Sequence, residues 1–130
     1  MVILLVEDDL NVQFLTWKLL KAEGFTVLNA DSAESALETS RNYLGSIDLL
    51  LSDVAMPRMD GLELGENISA ERPEIKVLMM SGDLRHRERA CMNSLPFLQK
   101  PFTPTTLRDS IAGLLGPVGP AMAASVQSSA

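Results

Sequence analysis

Short aliphatic runs alternate along the chain with stretches whose apolar residues recur at helical spacing. Val2–Val6 is an unbroken aliphatic run, the pattern of a strand covered on both faces. From Asn11 to Ala22, Val12, Leu15, Leu19 and Ala22 share one side of a helix and Lys18 and Lys21 another. This predicts an amphipathic helix buried along the first set, with Gly24 placed to stop it. Thr26–Asn29 predicts a second strand. Asp31-Ser32-Ala33-Glu34 has the make-up of a helix start, with Asp31 as the cap, Glu34 reaching back, and Ala33, Ala36, Leu37 and Tyr43 facing the core.

The alternation continues. Ile47–Ser52 predicts a third strand, and Val54–Gly61, with Pro57 and Gly61, a loop. A helix over Leu62–Ala70 ends before Pro73, and Lys76–Met80 predicts a fourth strand. Leu84–Asn93 is polar and predicts a short, exposed and mobile helix, with Arg85, His86, Arg87 and Arg89 solvated. Phe97–Gln99 is a brief fifth strand. Thr103 can cap a last helix that has Pro104 at its first position, where proline loses no needed hydrogen bond. Leu107, Ile111, Leu114 and Leu115 then form its buried stripe. Residues 117–130 carry no charge and are rich in Pro, Ala and Ser, which predicts a flexible tail after a domain spanning 1–116.

Five strand–helix units predict an α/β fold with a doubly wound, five-stranded parallel sheet, because parallel strands need crossover helices. In such sheets ligands bind beyond the carboxyl ends of the strands. That edge gathers Glu7, Asp8 and Asp9 after the first strand, Asp53 after the third, Ser81 and Gly82 after the fourth, and Lys100 after the fifth.

The length of 130 residues suits one domain. A net charge of −6 argues against nucleic acid or an anionic membrane as a partner. A single cysteine, Cys91, excludes an internal disulfide and a cysteine-rich zinc site, and fits a reducing compartment. No run approaches the ~18 apolar residues of a membrane span, and Val2–Val6 lacks the basic flank of a signal peptide. The expectation is a cytoplasmic domain.

Carboxylates crowded at one edge repel one another unless a proton or a cation intervenes. Mg²⁺ resolves the conflict, since it binds through one or two carboxylates plus waters and phosphate oxygens. Lys100 adds a positive charge for a phosphoryl oxygen or for Asp53, Ser81 a hydroxyl donor, and Gly82 room for an anion. A carboxylate nucleophile, a metal, a cation and a hydroxyl together describe phosphoryl transfer to an aspartate. Asp53, at the end of an aliphatic strand, is the best nucleophile.

These residues resemble the receiver domains of two-component response regulators. The likeness covers about Val2–Gly116. It rests on Leu5-Val6-Glu7-Asp8-Asp9, Asp53 with Met56-Pro57-Arg58-Met59-Asp60-Gly61, Met80-Ser81-Gly82 and Lys100-Pro101-Phe102. The resemblance implies a flavodoxin-like (βα)5 sheet in the order 2-1-3-4-5. It implies Asp53 as phosphoacceptor from a histidine kinase or its phosphohistidine domain. Mg²⁺ would be held by Asp8, Asp53, the backbone carbonyl of Ala55 and, through water, Glu7, although a one-residue shift would exchange Asp8 with Asp9. It further implies Ser81 as switch hydroxyl, Lys100 as the site lysine, Phe97 as aromatic switch (beside its plain role in the core) and a cis Lys100-Pro101 bond. On this view the isolated domain is a conformational switch and not an enzyme beyond self-phosphorylation and self-dephosphorylation.

Two departures stand out. Only 19 positions separate Ser81 from Lys100, which implies a shortened fourth helix and an altered switch surface. Ala55 has no polar group to position an attacking water, whereas Asp83 has one. Phe97–Pro104 resembles receivers at the C-terminal end of hybrid sensor histidine kinases, so Met1 fits a start added to an excised domain. The competing readings are an aspartyl-phosphate phosphatase, which usually carries Asp-x-Asp after the first strand and a cap domain, and an interaction module independent of phosphorylation.

Overall fold

The computed structural model describes residues 1–116; the stretch expected to form a tail, 117–130, lies outside the described residues. Five strands, β1 (Val2–Val6), β2 (Thr26–Ala30), β3 (Leu49–Asp53), β4 (Lys76–Ser81) and β5 (Phe97–Gln99), alternate with five helices. These are α1 (Leu10–Ala22), α2 (Ala33–Asn42), α3 (Gly61–Glu71), α4 (Leu84–Met92) and α5 (Pro104–Leu115). The strands are parallel in the order β2-β1-β3-β4-β5.

The aliphatic strands divide two cores by simple alternation. Ile3, Leu5, Leu49, Leu51, Leu78 and Met80 face Leu20 of α1 and Leu107 and Ile111 of α5. Leu4, Val6, Leu50, Val77 and Met79 face Ala33, Ala36 and Leu37 of α2, Leu64 and Ile68 of α3, and Ala90 of α4. Each fully buried aliphatic side chain contributes about 1.5–3 kcal/mol relative to exposure. The central strands are therefore the rigid floor beneath the carboxyl edge.

Every helix begins on a side-chain cap, which satisfies backbone N–H groups that have no intrahelical partner. Asp9 accepts from the N–H groups of Asn11 (3.0 Å) and Val12 (3.3 Å). Asp60 accepts from Glu63 (3.0 Å), Asp83 from Arg85 (2.8 Å) and Thr103 from Thr106 (3.1 Å). In α2 the cap is Ser32, not Asp31. Extended backbone at Ser32 (φ −153°, ψ 163°) aims its hydroxyl at the N–H of Ser35, 3.0 Å away, while Asp31 stays exposed. Glu34 does not reach back; it lies 3.8 Å from Arg58.

The buried face of α1 also differs from the expectation. Thr16 and Leu20 are buried, whereas Leu15 is 62% exposed and Ala22 is exposed. Apolar residues encircle this helix, so spacing alone does not select the side that meets the sheet. Left outside, Phe14 stacks on Trp17 at 5.9 Å between ring centroids, and the Lys18 ammonium sits 5.6 Å from the Phe14 ring. Gly24 follows this helix at φ +93°, as its stop position requires.

The fourth helix is short, as expected: nine residues with only Ala90 buried. It is moored to α3 by the Arg89–Asp60 ion pair at 2.8 Å. Phe97 is half-buried against the α2–α4 core, Leu114 and Leu115 pack at the margin of the α1–α5 core, and Lys100-Pro101 is cis.

Candidate functional site

Glu7 is the first residue past β1. Its backbone N–H donates to the carbonyl of Ala30 (3.1 Å). The Gln13 amide donates to the carbonyls of Glu7 (3.1 Å) and Ala30 (3.0 Å), tying α1 to the ends of β1 and β2. This brace was not legible in the sequence, where Gln13 is one polar residue among several.

Asp53 ends β3 in register with Met80. Its backbone is held tightly: the Ser52 hydroxyl donates to the Asp53 carbonyl (2.9 Å), and Val54 N–H donates to Met80 (3.0 Å). Across the intervening loop, Gly61 N–H donates to the Val54 carbonyl at 2.8 Å. A Cβ on Gly61 would stand 2.1 Å from the Asp53 carbonyl oxygen, so only glycine permits this approach.

The expected convergence is present. Glu7, Asp8 and Asp53 offer carboxylate oxygens within 4.8 Å of one another. Asp8 is exposed, whereas Glu7 is 1% and Asp53 8% exposed. Asp9 is committed to capping α1, which settles Asp8 and not Asp9 as the exposed member of the cluster. The Lys100 ammonium bonds Glu7 Oε1 and lies 3.5 Å from Asp53 Oδ1.

Burial pushes the Glu7 carboxyl up to about 7, against the pull of Lys100 and with the help of neighbouring Asp53. Burial likewise raises Asp53, with Lys100 again opposing. Two desolvated acids, a third at the rim and a single ammonium leave a shortage of positive charge. A hard divalent cation with oxygen ligands fits that donor set.

Ser81 ends β4, one residue beyond the partner of Asp53, and is buried. Its backbone carbonyl accepts from Lys100 N–H at 2.9 Å, binding the two site residues together. Its hydroxyl accepts from Asp83 N–H (3.1 Å) and lies 2.7 Å from His86 Nδ1. The expectation of a solvated His86 is therefore corrected: the ring is half-buried and engaged with Ser81, because the first turn of α4 carries it back over the strand end. The Asp83 carboxylate is held by Arg85, which lowers it to about 2. A Cβ on Gly82 would make only ordinary contact, 3.7 Å from the Lys100 carbonyl.

Residues 3–112 match the response regulator receiver domain, and the chain belongs to that family of two-component signalling domains. It is 35% identical over 119 residues to the sensor kinase CckA of Brucella abortus, covering 87% of this chain and 12% of that protein. It is 32% identical over 114 residues to the autoinducer 1 sensor kinase/phosphatase LuxN of Vibrio campbellii, covering 85% of this chain and 13% of that one. The chain thus spans about an eighth of the length of these relatives.

Among solved structures, the receiver domain from the hybrid histidine kinase CckA superposes with a TM-score of 0.75 at 33% identity, covering 88% of this chain and 99% of that one. The Thermotoga maritima response regulator TrrA, solved in complex with Mg²⁺-BeF, gives 0.78 at 26% identity, covering 88% and 98%. Among the described residues, no helix is long and apolar enough to cross a membrane.

Proposed function

We propose that Asp53 accepts a phosphoryl group from the phosphohistidine of a histidine kinase or of its phosphohistidine domain. The observation that carries this reading is the meeting of buried Asp53 with Glu7, Asp8 and the Lys100 ammonium at 3.5 Å. An Asp53 carboxylate oxygen attacks phosphorus, the P–O bond forms as the P–N bond breaks, and the imidazole leaves with the electron pair. On this reading Lys100 meets the transferred oxygens as a charge and Ser81 as a donor.

Mg²⁺ is the cation this reading assigns to the site. Asp8, Asp53, the Ala55 carbonyl and, through water, Glu7 are the groups to hold it. When bound, it offsets the charge of the carboxylates and of the phosphoryl oxygens. The new phosphoryl contacts favour one arrangement of Ser81, Phe97 and α4 over another, and only that difference shifts the population.

The outer side of α1 supports a protein donor. Leu15, Val12 and Leu19 form an apolar groove with Pro101 and Phe102 that runs to Lys100 and Gly82. A donor helix seated there would bring its phosphohistidine to the carboxyl edge. The test is incubation with acetyl phosphate and Mg²⁺, read by intact mass. Wild type should gain a phosphoryl group and Asp53→Asn should not. Equal modification of both would remove Asp53 from the role.

A further inference from the structure

We propose that His86 is a positioning residue for Ser81, holding the switch hydroxyl in the resting domain by accepting the one hydrogen bond it can donate. His86 Nδ1 lies 2.7 Å from Ser81 Oγ, with Ser81 buried and the ring half-buried. A serine hydroxyl has one proton and two lone pairs. The Asp83 N–H, at 3.1 Å, takes one lone pair. The ring therefore either donates to the second lone pair or accepts the proton.

The helix decides between these. His86 stands in the first turn of α4, just after the Asp83 cap. Backbone N–H groups converge there as the positive end of the helix, an environment that favours an acceptor over a further donor. Nδ1 is accordingly the acceptor, and the ring proton sits on Nε2.

This inference rests on the reading that Ser81 donates to a phosphoryl oxygen on Asp53. With its hydroxyl donating to His86, Ser81 must surrender that bond before it can serve the anion. One hydrogen bond is exchanged for another, and no proton changes owner. The exchange also removes the His86 tie between the first turn of α4 and the end of β4, leaving there the bond from the Asp83 N–H to Ser81. A helix with only Ala90 buried has little else on that side to hold it. His86 thus links the state of Asp53 to the position of α4 and sets a threshold for the switch.

His86 is the chain's only histidine, so its ring signals need no assignment. Long-range ¹H–¹⁵N spectra of the whole chain should show the proton on Nε2, with Nδ1 shifting when beryllofluoride and Mg²⁺ are added. A proton on Nδ1, or a ring spectrum blind to beryllofluoride, would overturn the proposal. In binding assays with beryllofluoride and Mg²⁺, His86→Phe keeps a ring without the acceptor and should bind roughly 3- to 10-fold tighter, the scale of one net hydrogen bond. His86→Asn restores an acceptor near Nδ1 and should return toward wild type. In a Ser81→Ala background His86→Phe should change nothing. Weaker binding by His86→Phe, or the same gain without Ser81, would assign His86 a merely structural role. Wild type that fails to bind beryllofluoride would instead sink the phosphoacceptor reading, a result distinct from any His86 effect.

Discussion

Replacing Glu7 by glutamine tests the electrostatics of the carboxyl edge. The Glu7 side chain is 1% exposed, and burial holds its carboxyl at about 7, above the ordinary 4.5. Between those values the folded chain keeps a proton that the unfolded chain has released. The stability tied to this protonated acid is complete below pH 4.5, declines as pH rises through about 7 and is absent above. The gap corresponds to about 3 kcal/mol. Glutamine preserves the shape of the protonated acid and has no charge to bury. With metal chelated, Glu7→Gln should match wild type below pH 4.5 and exceed it by up to about 3 kcal/mol at pH 8. The attraction of Lys100 for the ionised carboxylate is already contained in that figure, since the value of about 7 is what burial leaves after Lys100 has pulled it down. Asp53 shares the titration, and the transition will be broad. The assay is urea unfolding at a series of pH values, followed by Trp17 fluorescence. Adding Mg²⁺ at pH 8 should stabilise wild type more than the variant, because a cation bound only to the folded state adds to its stability. A stability difference flat across pH, or one favouring wild type at high pH, would refute the account.

Three further outcomes follow from local geometry. Gly61→Ala gains up to about 1 kcal/mol of helix propensity but forces a Cβ to 2.1 Å from the Asp53 carbonyl, so a net loss of roughly 1–3 kcal/mol is expected by thermal unfolding, with slower phosphorylation. Ser32→Ala should cost about 1 kcal/mol and Asp31→Ala nearly nothing in the same assay; the reverse order would mean that Asp31 caps α2. Leu15→Asp should slow transfer from a cognate kinase while leaving acetyl phosphate labelling unchanged, and equal loss with both donors would remove the α1 groove as a docking face.

Much of this architecture was legible in the residues. The run Val2–Val6 and the aliphatic part of Ile47–Ser52 read as buried strands, although the third strand starts at Leu49 and runs on to Asp53. Alternation with helical segments dictates a parallel sheet, and the carboxyl ends of such strands must share an edge. Glu7, Asp8, Asp53, Ser81 and Lys100 could therefore be brought together without coordinates. Thr103-Pro104 and Gly24 could likewise be read as helix punctuation, because capping depends on a few neighbouring residues.

The tertiary structure decided what depends on direction. Which side of α1 meets the sheet was hidden because apolar residues surround that helix, and only docking selects Thr16 and Leu20. Whether Asp31 or Ser32 caps α2 turned on the backbone angles of one residue. The Gln13 brace and the His86–Ser81 bond join atoms whose meeting depends on where a helix starts relative to a strand end. Composition and periodicity act along the chain and so determine elements and their order. The aim of a single side chain is set by packing across it, which no linear pattern records.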